Sequence, residues 1–340
     1  VQKAELEQLD LSKNKKIKDL MTSPAPSKWH SKTIGTLLPS ATEIVCVLGL
    51  EKNLVGISHE CDYPVSVKGL PSLTSSSIGK HANSEDIHQS VESLLKNSLS
   101  VYDLDLELLK SLKPDCLITQ DLCDVCAVSF GQVTDACNKV LNPSTKIISL
   151  RPQNLQDIWE DIRIVAQELE VIPAYEEFKA DVDRRIDYIF KKVSASNSTK
   201  RSVLTIEWYG PVMIGGLWIP EMIEIAGGRY LLATPGEKAL TVTRENLSSI
   251  NPDVVIVKPC GFKLEQTLRE LETLKRNVLF EDWKAYQNNN IFIVDGNAYF
   301  NRPGPRIMDS LEILSYCLHP NSFPEFFEKY CQSIRQLNEV

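Results

Sequence analysis

Short, continuous apolar runs alternate along the chain with stretches whose apolar residues recur at helical spacing. Thr33-Ile34-Gly35-Thr36-Leu37-Leu38, Leu54-Val55-Gly56-Ile57-Ser58, Cys116-Leu117-Ile118-Thr119 and residues 146–150 read as strands of a first half. Ser202-Val203-Leu204-Thr205-Ile206, Val254-Val255-Ile256-Val257 and Ile291-Phe292-Ile293-Val294 read as strands of a second. Apolar runs without polar alternation suit strands buried on both faces, as in a mainly parallel sheet covered by helices. One signal occurs twice: Pro114-Asp115 before Cys116, and Pro252-Asp253 before Val254, each leading from a helix end through an apolar strand to a polar loop. The fold class expected is α/β, with two Rossmann-like lobes built on central parallel sheets.

Between the halves, Leu155, Ile158, Ile162, Val165 and Leu169 keep helical spacing, and Phe178, Val182, Ile186 and Ile189 resume it after Pro173. Proline suits a first helical turn. The stretch from Ala174 to Val193 predicts one helix of about 20 residues, roughly 30 Å long, joining the lobes as a spine. Further helices are expected over 85–96, 305–318 and 323–337. Ser40 and Glu43 have capping-box spacing, which places a helix start there with free backbone N–H groups facing the turn. The resulting organisation is a polar tail over 1–32, an N-terminal lobe over 33–152, a helical segment over 153–200 and a C-terminal lobe over 201–340.

The hydrophobic fraction of 43% allows each half its own core. Thirty-seven basic against 45 acidic residues give a net charge of -8, which argues against a nucleic-acid partner. No apolar run approaches the ~20 residues of a membrane span, and residues 1–20 lack the apolar core of a secretory signal. Nine scattered cysteines, an odd number, suit reduced thiols. Together these point to a cytoplasmic protein.

In open parallel sheets ligands bind beyond the carboxyl ends of the strands. The loops there supply Ser40, His59, Glu60, Cys61, Asp62, Tyr63, Gln120 and Cys123 from the first half. From the second they supply Glu207, Trp208, Gly215, Trp218, Glu221, Lys258, Cys260, Asn297, Tyr299 and Arg302. His59 to Tyr63 packs an imidazole, two carboxylates and a thiol into one loop, suited to ligand contact, metal binding or acid/base work. Cys123-Asp124-Val125-Cys126 has knuckle spacing, but a structural zinc site needs a second pair and none exists. Trp218 suits either a stacking face for a flat ligand or a core anchor. Arg302 and the helix start after it suit an anionic group, or a salt bridge closing the lobe.

The segments Leu37-Leu38-Pro39-Ser40-Ala41-Thr42-Glu43, His59-Glu60-Cys61-Asp62-Tyr63-Pro64, Gln120 to Cys126, Trp218-Ile219-Pro220-Glu221, Pro259-Cys260-Gly261 and Arg302-Pro303-Gly304-Pro305-Arg306 resemble cobalamin-type substrate-binding proteins of ABC importers. The resemblance runs from about Thr33 to Pro320. It implies two α/β lobes joined by one long helix, and a small-molecule ligand between them: a corrinoid, haem, ferric siderophore or other metal chelate. It also implies importer partners docking on the lobe tips, whereas the lack of a visible secretion signal argues against delivery to a membrane importer. One departure is Gly216-Leu217-Trp218, where close relatives tend to carry Gly-His-Trp. That loop therefore offers no imidazole to a metal.

Two further readings stand beside the binding protein, which has Trp208, Trp218 and Tyr63 as walls. One is a cytosolic enzyme with Cys61 or Cys260 as nucleophile and His59, Glu60 or Glu207 moving protons. The other is a metal site built from His59, Cys61, Cys123 and Cys260.

Overall fold

The structure, a computed structural model, describes residues 28–77, 83–96, 102–121, 131, 133, 135, 141–196 and 199–340. Residues 1–27 of the expected tail, and the Cys123/Cys126 pair, lie outside the described residues.

The N-terminal lobe holds strands β1 (Ile34–Thr36), β2 (Leu54–Gly56), β3 (Thr74–Ser76), β4 (Tyr102–Leu104), β5 (Cys116–Gln120) and β6 (Lys146–Leu150). Its helices include α1 (Pro39–Val47), α2 (Ser84–Lys96) and α3 (Leu106–Leu112). Four strands form one parallel sheet in the order β2-β1-β5-β6, and β3 pairs with β4 separately. Helices α4 (Leu155–Glu168) and α5 (Ile172–Ala195) follow. Next come β7 (Arg201–Tyr209), β8 (Val212–Ile214), α6 (Ile219–Ile225), β9 (Gly228–Tyr230), β10 (Leu240–Thr241), α7 (Arg244–Ser248) and β11 (Val254–Val257). The chain ends with α8 (Leu264–Arg269), α9 (Leu271–Asn277), α10 (Lys284–Gln287), β12 (Ile291–Val294), α11 (Ile307–Leu318), α12 (Pro324–Tyr330) and β13 (Ile334–Gln336).

The second sheet runs β10-β8-β7-β11-β12-β13, with β9 also pairing β7. Its centre, β7-β11-β12, is parallel, while β8 pairs antiparallel with β7, β10 with β8 and β13 with β12. Two α/β lobes with parallel sheet centres are thus as expected. The helix expected over 323–337 is shorter: it stops at Tyr330, and Ile334–Gln336 turns back as an edge strand on β12. Only Ile334 of those three is buried, as suits a strand with one face on the core.

Burial explains the apolar runs. Val203, Val254 and Ile256 point into one core cluster, and Leu204, Ile206, Val255 and Val257 into a second on the opposite face. Side chains alternate along a strand, so both faces of β7 and β11 are covered. The repeated Pro-Asp signal also has a structural use. Asp115 accepts from the backbone N–H of Thr33 (2.9 Å) and from its hydroxyl (3.0 Å). Asp253 does the same for Ser202, at 2.8 and 2.7 Å. In each lobe the aspartate before one central strand ties down the start of its neighbour, setting their register.

α5 spans both lobes. Val182 and Ile189 are buried in the shared core, Phe178 packs against Trp159 of α4 with ring centroids 6.1 Å apart, and Arg185 donates to Glu312 and Asp309 of α11, both at 2.7 Å. α5 is thus a first tie between the lobes. A second bridge joins them at the edge, where Glu270 at the end of α8 accepts from the backbone N–H (2.9 Å) and hydroxyl of Ser84, the first residue of α2.

Candidate functional site

The carboxyl ends of the two sheets meet through a buried ionic cluster. Glu43, on α1, is 3% exposed and accepts two hydrogen bonds from Arg306, at 2.9 and 2.6 Å, and one from Arg302 at 3.4 Å. Arg302 also donates to Asp62 (2.6 Å) and to the Asn297 carbonyl (3.2 Å), while the Asn297 amide reaches Asp62 (3.3 Å). Gly304 lets the loop before α11 press on Ser40, whose Cβ would lie 3.3 Å from any added Cβ. The expected capping box is therefore absent. Leu38 is the N-cap without a side-chain bond, and Glu43 is drawn instead to two guanidinium groups, because a charge-assisted bidentate pair outweighs a cap.

Arg302 is 7% exposed, and both of its terminal nitrogens are hydrogen-bonded. It joins the lobes through its pairs with Glu43 and Asp62. Burial works against the charge on Arg306, but its bonds to Glu43 and the nearby carboxylate of Asp62 raise its pKa above the ordinary value. Burial likewise opposes ionisation of Asp62, yet the hydrogen bond and charge of Arg302 hold its carboxyl below the usual range. Tyr63 lies over this cluster, 46% exposed, with the Arg306 guanidinium 4.1 Å from its ring centroid.

The C-terminal wall is built around Lys258, which has no solvent exposure. It follows β11 and donates to Glu207 (2.7 Å) and to Asn301 (3.2 Å). Gly296 matters here, since a Cβ would meet the Pro259 carbonyl at 2.0 Å, and that approach sets the β12 loop over Lys258. Trp208, partly exposed, packs edge-on to Phe262 (5.1 Å) and donates to the Gly210 carbonyl (3.1 Å). Cys260 is exposed at the same edge.

Several of the expected contacts are buried or bonded within the fold. Trp218 is 5% exposed, sits in the main core and donates from Nε1 to the Phe300 carbonyl at 2.8 Å; it anchors the lobe instead of walling the cleft. Glu221 accepts from the backbone N–H of Leu155 at 2.7 Å. Ser40 and Gln120 are buried, Gly215 packs on Thr205 and Lys258, and Tyr299 stands edge-on to Tyr330 at 5.8 Å. Cys61 is buried against the Thr42 hydroxyl (3.0 Å), and burial pushes its thiol up to about 11. The thiolate is the nucleophilic form, and burial disfavours it at Cys61. His59 bonds the Thr74 hydroxyl through Nδ1 (2.8 Å), lies against Tyr102, and has Glu60 3.6 Å from Nε2. Burial lowers its pKa, partly offset by Glu60. Among the described residues no group of three or more His, Cys, Asp or Glu is set to hold a metal ion; Cys123 lies outside them.

Sequence reasoning misassigned Glu43 and did not see Thr74, Tyr102 or the Ser84–Glu270 bridge. No local signal marks them, since each partner lies far along the chain.

The profile described as periplasmic binding protein matches residues 34–298. The chain belongs to the periplasmic binding protein family. The ABC transporter substrate-binding lipoprotein YvrC of Bacillus subtilis (strain 168), itself uncharacterized, is 21% identical over 317 residues, covering 91% of this chain and 87% of that protein. A periplasmic heme binding protein from Pseudomonas aeruginosa superposes with a TM-score of 0.64 at 20% identity, over 85% of this chain and 93% of its own. The periplasmic vitamin B12 binding protein BtuF of Vibrio cholerae gives 0.59 at 17% identity, over 85% and 97%. The expectation of a cytoplasmic protein is corrected by these relatives, which are periplasmic or a transporter lipoprotein. The cysteine count misled because thiols such as Cys61, Cys116 and Cys317 are buried, packing as small apolar groups that carry no signal of compartment. Among the described residues no helix is long and apolar enough to cross a membrane.

Proposed function

We propose that this protein captures a tetrapyrrole-like or metal-chelate small molecule between its lobes and presents it to an ABC importer. The observation that carries the reading is family membership together with strand-end loops of both lobes converging on one polar floor. Relatives of the same fold are named for heme and vitamin B12, and a transporter lipoprotein aligns along most of the chain. Tyr63 and Trp208 supply the aromatic faces that a flat ring system needs; His59, Glu60, Asp62, Glu207, Asn297 and Cys260 supply polar contacts around it.

The test is absorbance titration with aquacyanocobinamide, haemin and a ferric catecholate siderophore. At least one is expected to bind saturably, one per chain, at micromolar concentration or below. Trp208→Ala is expected to weaken that binding roughly tenfold through the lost aromatic face. Flat titrations with all three would overturn the reading.

A further inference from the structure

The cleft floor hides its cations and shows its carboxylates. Lys258 has no exposed side-chain surface, Arg302 7% and Arg306 10%, whereas Glu207 keeps 22%, Asp62 35% and Glu60 40%. Arg151, at the end of β6, is exposed but is bound to Asp121 at 2.6 Å. A fully buried ammonium demands a counter-charge close by, and Lys258 has it in Glu207 at 2.7 Å, with Asn301 as its second acceptor. The Glu207 carboxylate is thus held by Lys258 and keeps part of its surface exposed. His59, whose pKa burial lowers, stands beside Glu60 with Nε2 3.6 Å from its carboxylate. Among the described residues, a ligand settling on this floor meets hydrogen-bond acceptors and negative charge first.

We infer that the cleft selects ligands whose rim carries N–H donors or positive charge and discriminates against rims of carboxylates, with Glu207 as the specificity-determining residue. The inference rests on the proposed function and narrows it. An amide-fringed macrocycle or a cationic chelate fits the wall. A ring bearing carboxylate arms meets like charge, and the buried guanidinium groups beneath Asp62 and Glu43 are already engaged, so they cannot turn up to meet it. In a partly desolvated cleft such repulsion is not screened away.

The test holds the ring constant and changes only its rim. Aquacyanocobinamide, whose corrin carries amides, is compared with cobyrinic acid, the same corrin carrying carboxylates, and with haemin. Affinities are measured on wild type and on Glu207→Gln, which keeps an acceptor for Lys258. Wild type is expected to bind the amide corrinoid at least tenfold more tightly than cobyrinic acid. Glu207→Gln is expected to shrink that ratio several-fold, and a ratio is not moved by a simple loss of stability. Equal or tighter binding of cobyrinic acid or haemin would overturn the selectivity while leaving the ligand-capture reading intact. An unchanged ratio in a folded Glu207→Gln protein would remove Glu207 as its source. Failure of every compound to bind would remove both readings together.

Discussion

Replacing Glu43 by alanine is expected to lower the midpoint of thermal unfolding by about 5–10 °C, the equivalent of roughly 3–5 kcal/mol. Glu43 accepts three hydrogen bonds from Arg302 and Arg306, and all three side chains are at most 10% exposed. Forming such a cluster adds little net stability, because desolvating the charges costs about as much as their attraction returns. Removing one member is different. Arg302 keeps Asp62 and Asn297, but Arg306 loses both of the acceptors that its guanidinium holds on α1, in a place only 10% open to solvent. Glu43→Gln, which retains one acceptor, should fall between. Calorimetry or urea unfolding checks the order wild type, Gln, Ala; an alanine variant as stable as wild type would show that Arg306 finds another partner without cost.

Trp218→Ala is expected to destabilise by a similar amount, about 3–5 kcal/mol, through a cavity in the main core. It also leaves the Phe300 carbonyl without the indole N–H that now lies 2.8 Å away. Trp218→Phe restores most of the volume but not the hydrogen bond, and should lose about 1–2 kcal/mol. Because the ring is 5% exposed, the phenylalanine variant should bind ligand as wild type does. A Trp218→Phe protein of normal stability and sharply weakened binding would reverse the assignment and return this side chain to the cleft wall.

Which parts of this molecule can be read from its residues follows from where the determining forces act. β5, β11 and β12 are apolar runs buried on both faces, so local composition announces them. α5 is announced by Pro173 and by the spacing of Val182 and Ile189. β8, β10 and β13 are short, antiparallel and partly exposed; they exist because a neighbouring strand offers an unpaired edge, and no periodicity of two or three residues reveals that. The site divides the same way. That polar groups gather at strand ends is legible, since parallel sheets direct their loops to one side. Which way each side chain turns is not. Glu43 has the spacing of a helix cap, yet its partner Arg306 stands 263 residues later, and the buried guanidinium wins. Trp218 reads equally as wall or anchor until the Phe300 carbonyl, 82 residues away, is placed beside it. Lys258 stands among the strand-end groups that could face a ligand, but its ammonium is buried against Glu207.

Central to this account is that loops from both lobes hold one ligand at the carboxyl ends of the two sheets. Hydrogen–deuterium exchange with and without saturating ligand tests it most directly. Slower exchange is predicted in residues 59–63 of one lobe and in 207–210, 258–262 and 296–302 of the other, appearing together on addition of a single molecule. Protection confined to one lobe, or located away from these strand ends, would contradict it.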